Sequence, residues 1–295
     1  MSLLSGVVLI AVGCDWPELK LWDPKPAPAP APAPPPLVLD GPAPGANAPV
    51  DLVPAARGVG ATSAERVRLD VVLTVLRVQV PSGQRAQAEP IWNHLREDVL
   101  DAQSALRLRQ NGIRAGVGHT HWWDAVKATL DAVEGVHSLA LDPMRVPPDY
   151  PVALELDTQP REQTLFFVAE DGVLTGETWP QSRNVLRVSY GLDRAHPERV
   201  RLLIVPEVRQ RLDGWRWVRS ESGLLPAPEY NGRAFGAAAI AADLAPGEFL
   251  LVAPGEQAEL YGLLGGVFLS GVEDGEHYDS YVFLRADMNH VAYRN

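Results

Sequence analysis

Alternation of apolar and polar positions first becomes regular near residue 66. From Val67 to Val75 apolar side chains occupy every second position, which is the period of a β-strand, and Pro81 ends the run. Residues 90–110 then place apolar side chains at helical spacing, behind a proline suited to a first helical turn and ahead of Asn111-Gly112. The pattern therefore predicts a strand followed by a helix.

The same order repeats directly afterwards. Residues 113–118 are apolar enough for a short strand, and HTHWWDAVKATLDAVEG at residues 119–135 has the period of a helix. Thr120 is suited to cap this helix and Gly135 to end it. Strand, helix, strand, helix and strand in succession predict a small α/β subdomain over residues 65–145.

The chain changes character after Pro147-Pro148. Strand-like runs alternate with Gly, Pro, Asp and Asn clusters, and Asp171-Gly172 and Asp213-Gly214 are favourable hairpin turns. We expect a short helix in FGAAAIAADL and strands in EFLLVAP, GGVFLSG and SYVFLRADM. The predicted fold class is α+β: the small α/β subdomain, followed by a mainly antiparallel, β-rich subdomain over residues 146–295.

The N-terminal apolar run has a different meaning. Leu3–Gly13 is too short to span a bilayer, but it suits the apolar region of a secretory signal. It ends in Ala11-Val12-Gly13-Cys14, which resembles the lipobox of bacterial lipoproteins. The resemblance implies a signal peptide over residues 1–13, cleavage before Cys14 and a diacylglycerol on its thiol. The alternative is a buried strand with Cys14 as a small core residue.

Proline dominates the residues behind the cysteine. Twelve of the 27 prolines lie between Pro24 and Pro54, where they exclude helix and central strand. Such a stretch favours polyproline II, which rises about 3.1 Å per residue. We therefore interpret residues 14–62 as a lipidated, Pro/Ala-rich tether that holds the body away from a membrane.

Composition excludes several classes. The formal net charge of −11 leaves no basic excess for a nucleic-acid backbone, so no nucleic-acid partner is expected. Cys14 is the single cysteine, so the body has no disulfide. The motifs GxSxG, HExxH, Walker A and a strand-borne GxGxxG are absent, and we assign no catalytic residue.

His119-Thr-His121 is the sharpest candidate for chemistry. On an extended segment the two imidazoles point the same way, as metal ligands do, and Asp124 is a candidate third ligand. The alternative is a histidine pair at a helix N-terminus beside Trp122 and Trp123. A metal at His119, His121 and Asp124 would imply a hydrolase of envelope polymers.

Carboxylates and tryptophans give further alternatives. VEDGEHYDSY at residues 272–281 predicts a surface hairpin, with a hard-cation site as the alternative. Glu170-Asp171 and Glu177 are read as solvated loop residues, with a carboxylate pair for sugar hydrolysis as the alternative. Trp215 and Trp217 share a strand face, and we expect them to be packed rather than to bind sugars or partners.

The order of segments in the body resembles a secretin core, the ring channel of bacterial outer membranes. Residues 203–208 and 246–271 carry the similarity, which implies a ring-forming subunit. The whole chain also resembles proline-tethered lipoproteins of planctomycete-type bacteria.

Together these observations predict a non-enzymatic lipoprotein of the bacterial cell envelope. It is anchored to a membrane through Cys14, faces the periplasm or the exterior, and presents an interaction or assembly module to an envelope protein partner. We expect no cofactor besides the lipid. A hydrolase and a secretin-like ring subunit are the alternatives.

Overall fold

The computed structural model of the protein describes residues 66–146, 151–156, 159–192, 196, 198–220, 223–260, 262–273 and 275–293. The predicted signal peptide, Cys14 and the tether over residues 14–62 lie outside the described residues.

The first part of the body alternates short helices with strands. Three helices and five strands, joined by 3₁₀ turns, make up this part: β1 (Arg66–Pro81), α1 (Arg85–Ala88), β2 (Leu95–Arg96), α2 (Ala102–Gln110), β3 (Ile113–His119), α3 (Trp123–Asp131), β4 (His137–Ala140) and β5 (Met144–Val146).

The second part is nearly all strand. It comprises β6 (Val152–Glu155), β7 (Arg161–Val168), β8 (Leu174–Leu192), β9 (Val200–Ser220), β10 (Gly223–Ala234), β11 (Ile240–Leu244), β12 (Glu248–Pro254), α4 (Leu264–Leu269), β13 (Ser270–Glu273) and β14 (Glu276–Tyr293).

The strands form two antiparallel sheets. In the first sheet the order is β2-β3-β12-β14-β1-β4, with β13 beside β14 and β5 beside β1. Strand β1 pairs with β14 along its whole length, from Arg66 opposite Tyr293 to Pro81 opposite Tyr278. In the second sheet the order is β10-β9-β8-β6, with β11 beside β9 and β7 beside β8.

A continuous apolar run in β14, residues 281–284, buries both faces of the first sheet. Val282 and Leu284 of β14 join one core cluster with residues of the second sheet such as Ile204. On the other face Phe283 packs edge-on against Trp123 of α3, with ring centroids 5.3 Å apart. The first sheet thus lies between helices and the second sheet, and burial of apolar area on both faces stabilises it.

The predicted fold class is confirmed in its coarse form. The body is α+β but mainly antiparallel β, and strand and helix alternate in its first part. The two parts share one sheet, however, because β12 and β14 pair with β3 and β1.

Four local predictions were wrong. The helix expected over residues 90–110 is divided by β2, and only residues 102–110 form an α-helix, which Asp101 caps by accepting from Gln103 N and Ser104 N. GGVFLSG lies largely in α4 rather than in a strand. FGAAAIAADL forms a 3₁₀ turn and then β11. Asp213-Gly214 lies inside β9, whereas Asp171-Gly172 turns the chain between β7 and β8 as predicted.

Candidate interaction surface

The most unusual surface belongs to the end of β9 and its partner β10. Strand β8 pairs with β9 only as far as Gln210, which lies opposite Ser182. From there to Ser220, opposite Gly223, the partner of β9 among the described strands is β10 alone. We call residues 211–220 and 223–230 the ribbon.

One face of the ribbon carries a row of exposed apolar side chains. Residues directly opposite in an antiparallel pair share a face, and Trp217 lies opposite Pro226 while Leu224 lies opposite Arg219. Trp215 is 67% exposed, Trp217 70% and Leu224 64%. The expectation that the two tryptophans are packed was therefore wrong.

The sequence held a signal for this exposure. In WRWVR, at residues 215–219, Arg216 lies on one face of the strand and Arg219 on the face of the two tryptophans, so neither face is suited to a dry core.

Two backbone edges of the ribbon lack a strand partner within the described residues. Strand β10 pairs with β9 alone along residues 223–234, and residues 211–220 of β9 have a neighbour on one side only. Unpaired strand edges present rows of N–H and C=O groups and act as templates for another strand. The ribbon is therefore suited to extension by a further strand.

The histidine candidates lie elsewhere, at the end of β3. His119 accepts a hydrogen bond at Nδ1 from the backbone N–H of His121, at 3.1 Å, and so caps the short turn that leads into α3. The Nδ1 atoms of the two rings are 2.7 Å apart. With His119 Nδ1 accepting from the backbone, a hydrogen bond between the two rings requires His121 to donate from its Nδ1.

A third ligand does not join this pair. Within the described residues no group of three or more His, Cys, Asp or Glu side chains is positioned to hold a metal ion. Asp124 lies in the first turn of α3, and His121 packs on Trp122 with ring centroids 4.6 Å apart. The metal site at His119, His121 and Asp124 stays a prediction, and the geometry matches a histidine pair at a helix N-terminus.

Three of the candidate carboxylates have structural partners. Glu177 accepts from Arg233 at 3.0 Å, and Asp171 accepts from the backbone N–H of Val173 in a turn. Asp279 is buried, accepts from the Ser270 hydroxyl at 2.6 Å and lies 3.4 Å from the Arg85 guanidinium. As predicted, residues 272–281 contain a hairpin, in which β13 pairs with β14.

Comparisons with known proteins add little. No protein-family model matches the sequence, and no curated protein matches it significantly. Among solved structures, the chain is similar to one from the Klebsiella pneumoniae type II secretion system outer membrane complex of PulD, PulS and the PulC HR domain. The identity is 9%, over 78% of this chain and 40% of that one, at a TM-score of 0.16. A score of that size carries no argument about fold or function.

None of the helices in the described residues has both the length and the apolar character that a membrane crossing requires.

Proposed function

We propose that this protein is a non-enzymatic, lipid-anchored protein of the bacterial cell envelope whose body assembles with further copies of itself through the ribbon. Cys14 carries the anchor, residues 15–62 space the body from the membrane, and residues 66–293 form the assembly module. The lipobox-like residues before Cys14 and the prolines behind it support the first two parts.

The exposed tryptophan face is the observation that carries the proposal. A two-stranded hairpin outside a larger sheet is at best marginally stable in water, because it has no apolar face covered by a third layer. Trp215 and Trp217 expose most of their area there. Covering aromatic side chains of this size on association is a large source of binding energy.

The open edges and the charge of the ribbon favour a second copy as the occupant. A ribbon that lacks outer partners on both strands pairs with the same ribbon of a neighbouring chain and extends one sheet. Copies with a net charge of −11 repel each other. The ribbon holds three arginines and two carboxylates among its described residues, so its own charge does not add to this repulsion. Where the β9 edge of one copy pairs with the β10 edge of the next, the contact repeats from copy to copy and forms a ring if the rotation between copies closes. The secretin-like order of segments also implies a ring.

The test is the association state of the full chain in sedimentation velocity, compared with a Trp215→Thr, Trp217→Thr double variant. Threonine keeps the strand propensity and removes the aromatic area. Central tryptophans in interfaces contribute about 2 kcal/mol or more, so the dissociation constant should rise at least about 30-fold.

The matched control is Trp122→Thr, which removes another half-exposed tryptophan at the start of α3. This variant should associate as the wild type does. A wild-type chain that stays monomeric at high concentration, or a double variant that associates normally, would refute the proposal.

A further inference from the structure

Arginines gather on the outward face of the second sheet, at the base of the ribbon. Arg183 of β8 lies directly opposite Arg209 of β9, and Arg211 follows two positions later on the same face. Like charges directly opposite in an antiparallel pair destabilise the sheet. Carboxylates beside the pair, Glu155 and Glu207, offset part of this repulsion, and a bound anion would offset more of it.

A cavity of about 200 Å³ opens at these side chains. Val185 is buried and lines it together with the three arginines. Tyr230 lines it from β10, with the Arg209 guanidinium 5.7 Å from the centre of its ring. Cavities that hold drug-sized molecules are larger, so this one suits a small charged group.

The charges around the cavity leave a positive excess. Arg183 donates to Glu155 at 2.9 Å, and Glu207 accepts from Arg209 at 2.6 Å. Glu207 is also 3.7 Å from Arg187, and both lie outside the lining of the cavity. Within the lining, the three arginines face one carboxylate, that of Glu155. Arg211 lines the cavity without an ion pair to any residue in the described part of the chain. The excess is two positive charges.

The backbone beside the cavity is strained. Gln181 lines it and has a φ of 45°, the one positive φ of a non-glycine residue in the described part of the chain. It lies where the register of β7 and β8 shifts, between the pairs of Arg161 and Gln163. Bulges and strained residues are concentrated at binding sites, where the surrounding structure holds them in place.

We propose that this cavity, which we call the arginine pocket, binds a phosphate monoester dianion. The guanidinium fork matches phosphate oxygens in pairs, and hydrogen bonds between ionised partners are the strong ones. A phosphate monoester carries close to two negative charges at neutral pH, which matches the excess of two. The group is supplied either by a small soluble phosphate or by a lipid headgroup.

The experiment uses the full chain carrying Cys14→Ser, so that no acyl chain contributes to binding. Calorimetric titration with inorganic phosphate tests the soluble source. Sedimentation with phosphatidylcholine vesicles containing phosphatidic acid, a monoester, tests the lipid source. Vesicles containing the same fraction of phosphatidylglycerol, a diester, supply negative charge without the dianion.

The variant is Arg211→Gln, and the matched control is Arg201→Gln. Arg201 lies on the same face of β9, but it is paired with Asp243 at 2.6 Å and lies outside the cavity. We expect Arg211→Gln to weaken binding at least tenfold and Arg201→Gln to leave it unchanged. Circular dichroism of both variants shows whether the fold is intact.

Saturable binding of inorganic phosphate supports the arginine pocket with a soluble ligand. Binding to phosphatidic acid vesicles well above phosphatidylglycerol vesicles supports it with a lipid ligand. Equal binding to both vesicles, equal loss in the two variants, or no binding to either probe overturns it. Association through the ribbon is measured separately, so neither result decides the other.

Discussion

Tyr281 shows how one buried residue links stability to pH. It lies in β14 between the first sheet and the helices, 1% exposed, and burial raises the pKa of its phenol to about 12. An unfolded tyrosine ionises near pH 10. The folded state therefore keeps the proton where the unfolded state loses it.

This difference predicts a loss of stability in alkali. Since the folded pKa is raised, the contribution is fully present below pH 10 and is lost as pH rises toward 12. The full loss is roughly 2–3 kcal/mol at the upper end of that window. The unfolding free energy, measured by urea denaturation, should fall less between pH 8 and pH 11.5 for Tyr281→Phe than for the wild type.

The partly exposed Tyr278 of the same strand supplies the control. Tyr278→Phe removes a phenol hydroxyl from a partly exposed position of β14, so it shows what the loss of such a hydroxyl does by itself. If Tyr281→Phe loses as much stability in alkali as the wild type, groups other than Tyr281 cause the loss.

At the scale of elements, a buried asparagine connects three parts of the chain. Asn111 follows α2, donates from Nδ2 to the carbonyl of Val168, and accepts at Oδ1 from Val168 N at 2.8 Å. Its own carbonyl accepts from Gly265 N, in the first turn of α4, at 2.7 Å. The first turn of α4 therefore packs directly on the backbone of residues 111–112.

This contact leaves no room for a side chain at position 265. A Cβ there would lie 1.9 Å from the carbonyl oxygen of Gly112, a backbone atom that cannot turn aside. We expect Gly265→Ala to lower the unfolding free energy by about 2 kcal/mol or more, because overpacking outweighs the gain in helix propensity. Chemical denaturation measures the change.

Gly271→Ala is the matched control, because a Cβ at that position meets no atom within 4 Å. It should change the unfolding free energy by less than about 1 kcal/mol. Equal effects of the two substitutions would contradict the packing of α4 on residues 111–112.

Local pattern predicted the strands well and the short helices poorly. Residues 67–75 alternate cleanly because β1 is long and its two faces meet different layers. GGVFLSG was predicted as a strand, since a short apolar run carries no period that separates strand from buried helix. Its helical state comes from the contact of Gly265 with Asn111, more than 150 positions away.

The hairpin turn predicted at Asp213-Gly214 was wrong for a related reason. The pair is a favourable turn, but β10 pairs with β9 on both sides of it, through Trp215 opposite Pro228 and Arg211 opposite Tyr230. The register shifts there, and the glycine lies at a bulge in a continuous strand. Turn propensity is a local preference, and pairing with a long partner strand overrode it.

At the scale of the whole molecule, the sequence indicated one of the two proposed surfaces, the ribbon, better than the other, the arginine pocket. Trp215 and Trp217 were visible as a shared face, and only their exposure was predicted wrongly. The arginine pocket had no sequence signal, because Arg183 and Arg209 are 26 positions apart and meet through the register of β8 and β9. Spacing along one chain does not give such a pairing.

The two surfaces also occupy neighbouring parts of one sheet. Arg211 lies where β9 leaves β8, so it belongs both to the arginine pocket and to the first residues of the ribbon. A body tethered by residues 15–62 would present both at some distance from a membrane. Under the proposed function, an anchor at Cys14 would therefore determine which partners the ribbon and the pocket meet.

The anchor itself is tested by Cys14→Ala. Lipidation needs the thiol, so the wild type should incorporate a labelled fatty acid and partition into detergent, whereas Cys14→Ala should lose the label and enter the aqueous phase. More than one acyl chain is needed for durable anchoring. The mass of the mature N-terminus should therefore exceed the mass expected with a single acyl chain. Asp15→Ala, which keeps the thiol, should retain the label. A wild-type protein that keeps its N-terminal residues and a free thiol would contradict the proposed anchor. Assembly through the ribbon would then still depend on its own test.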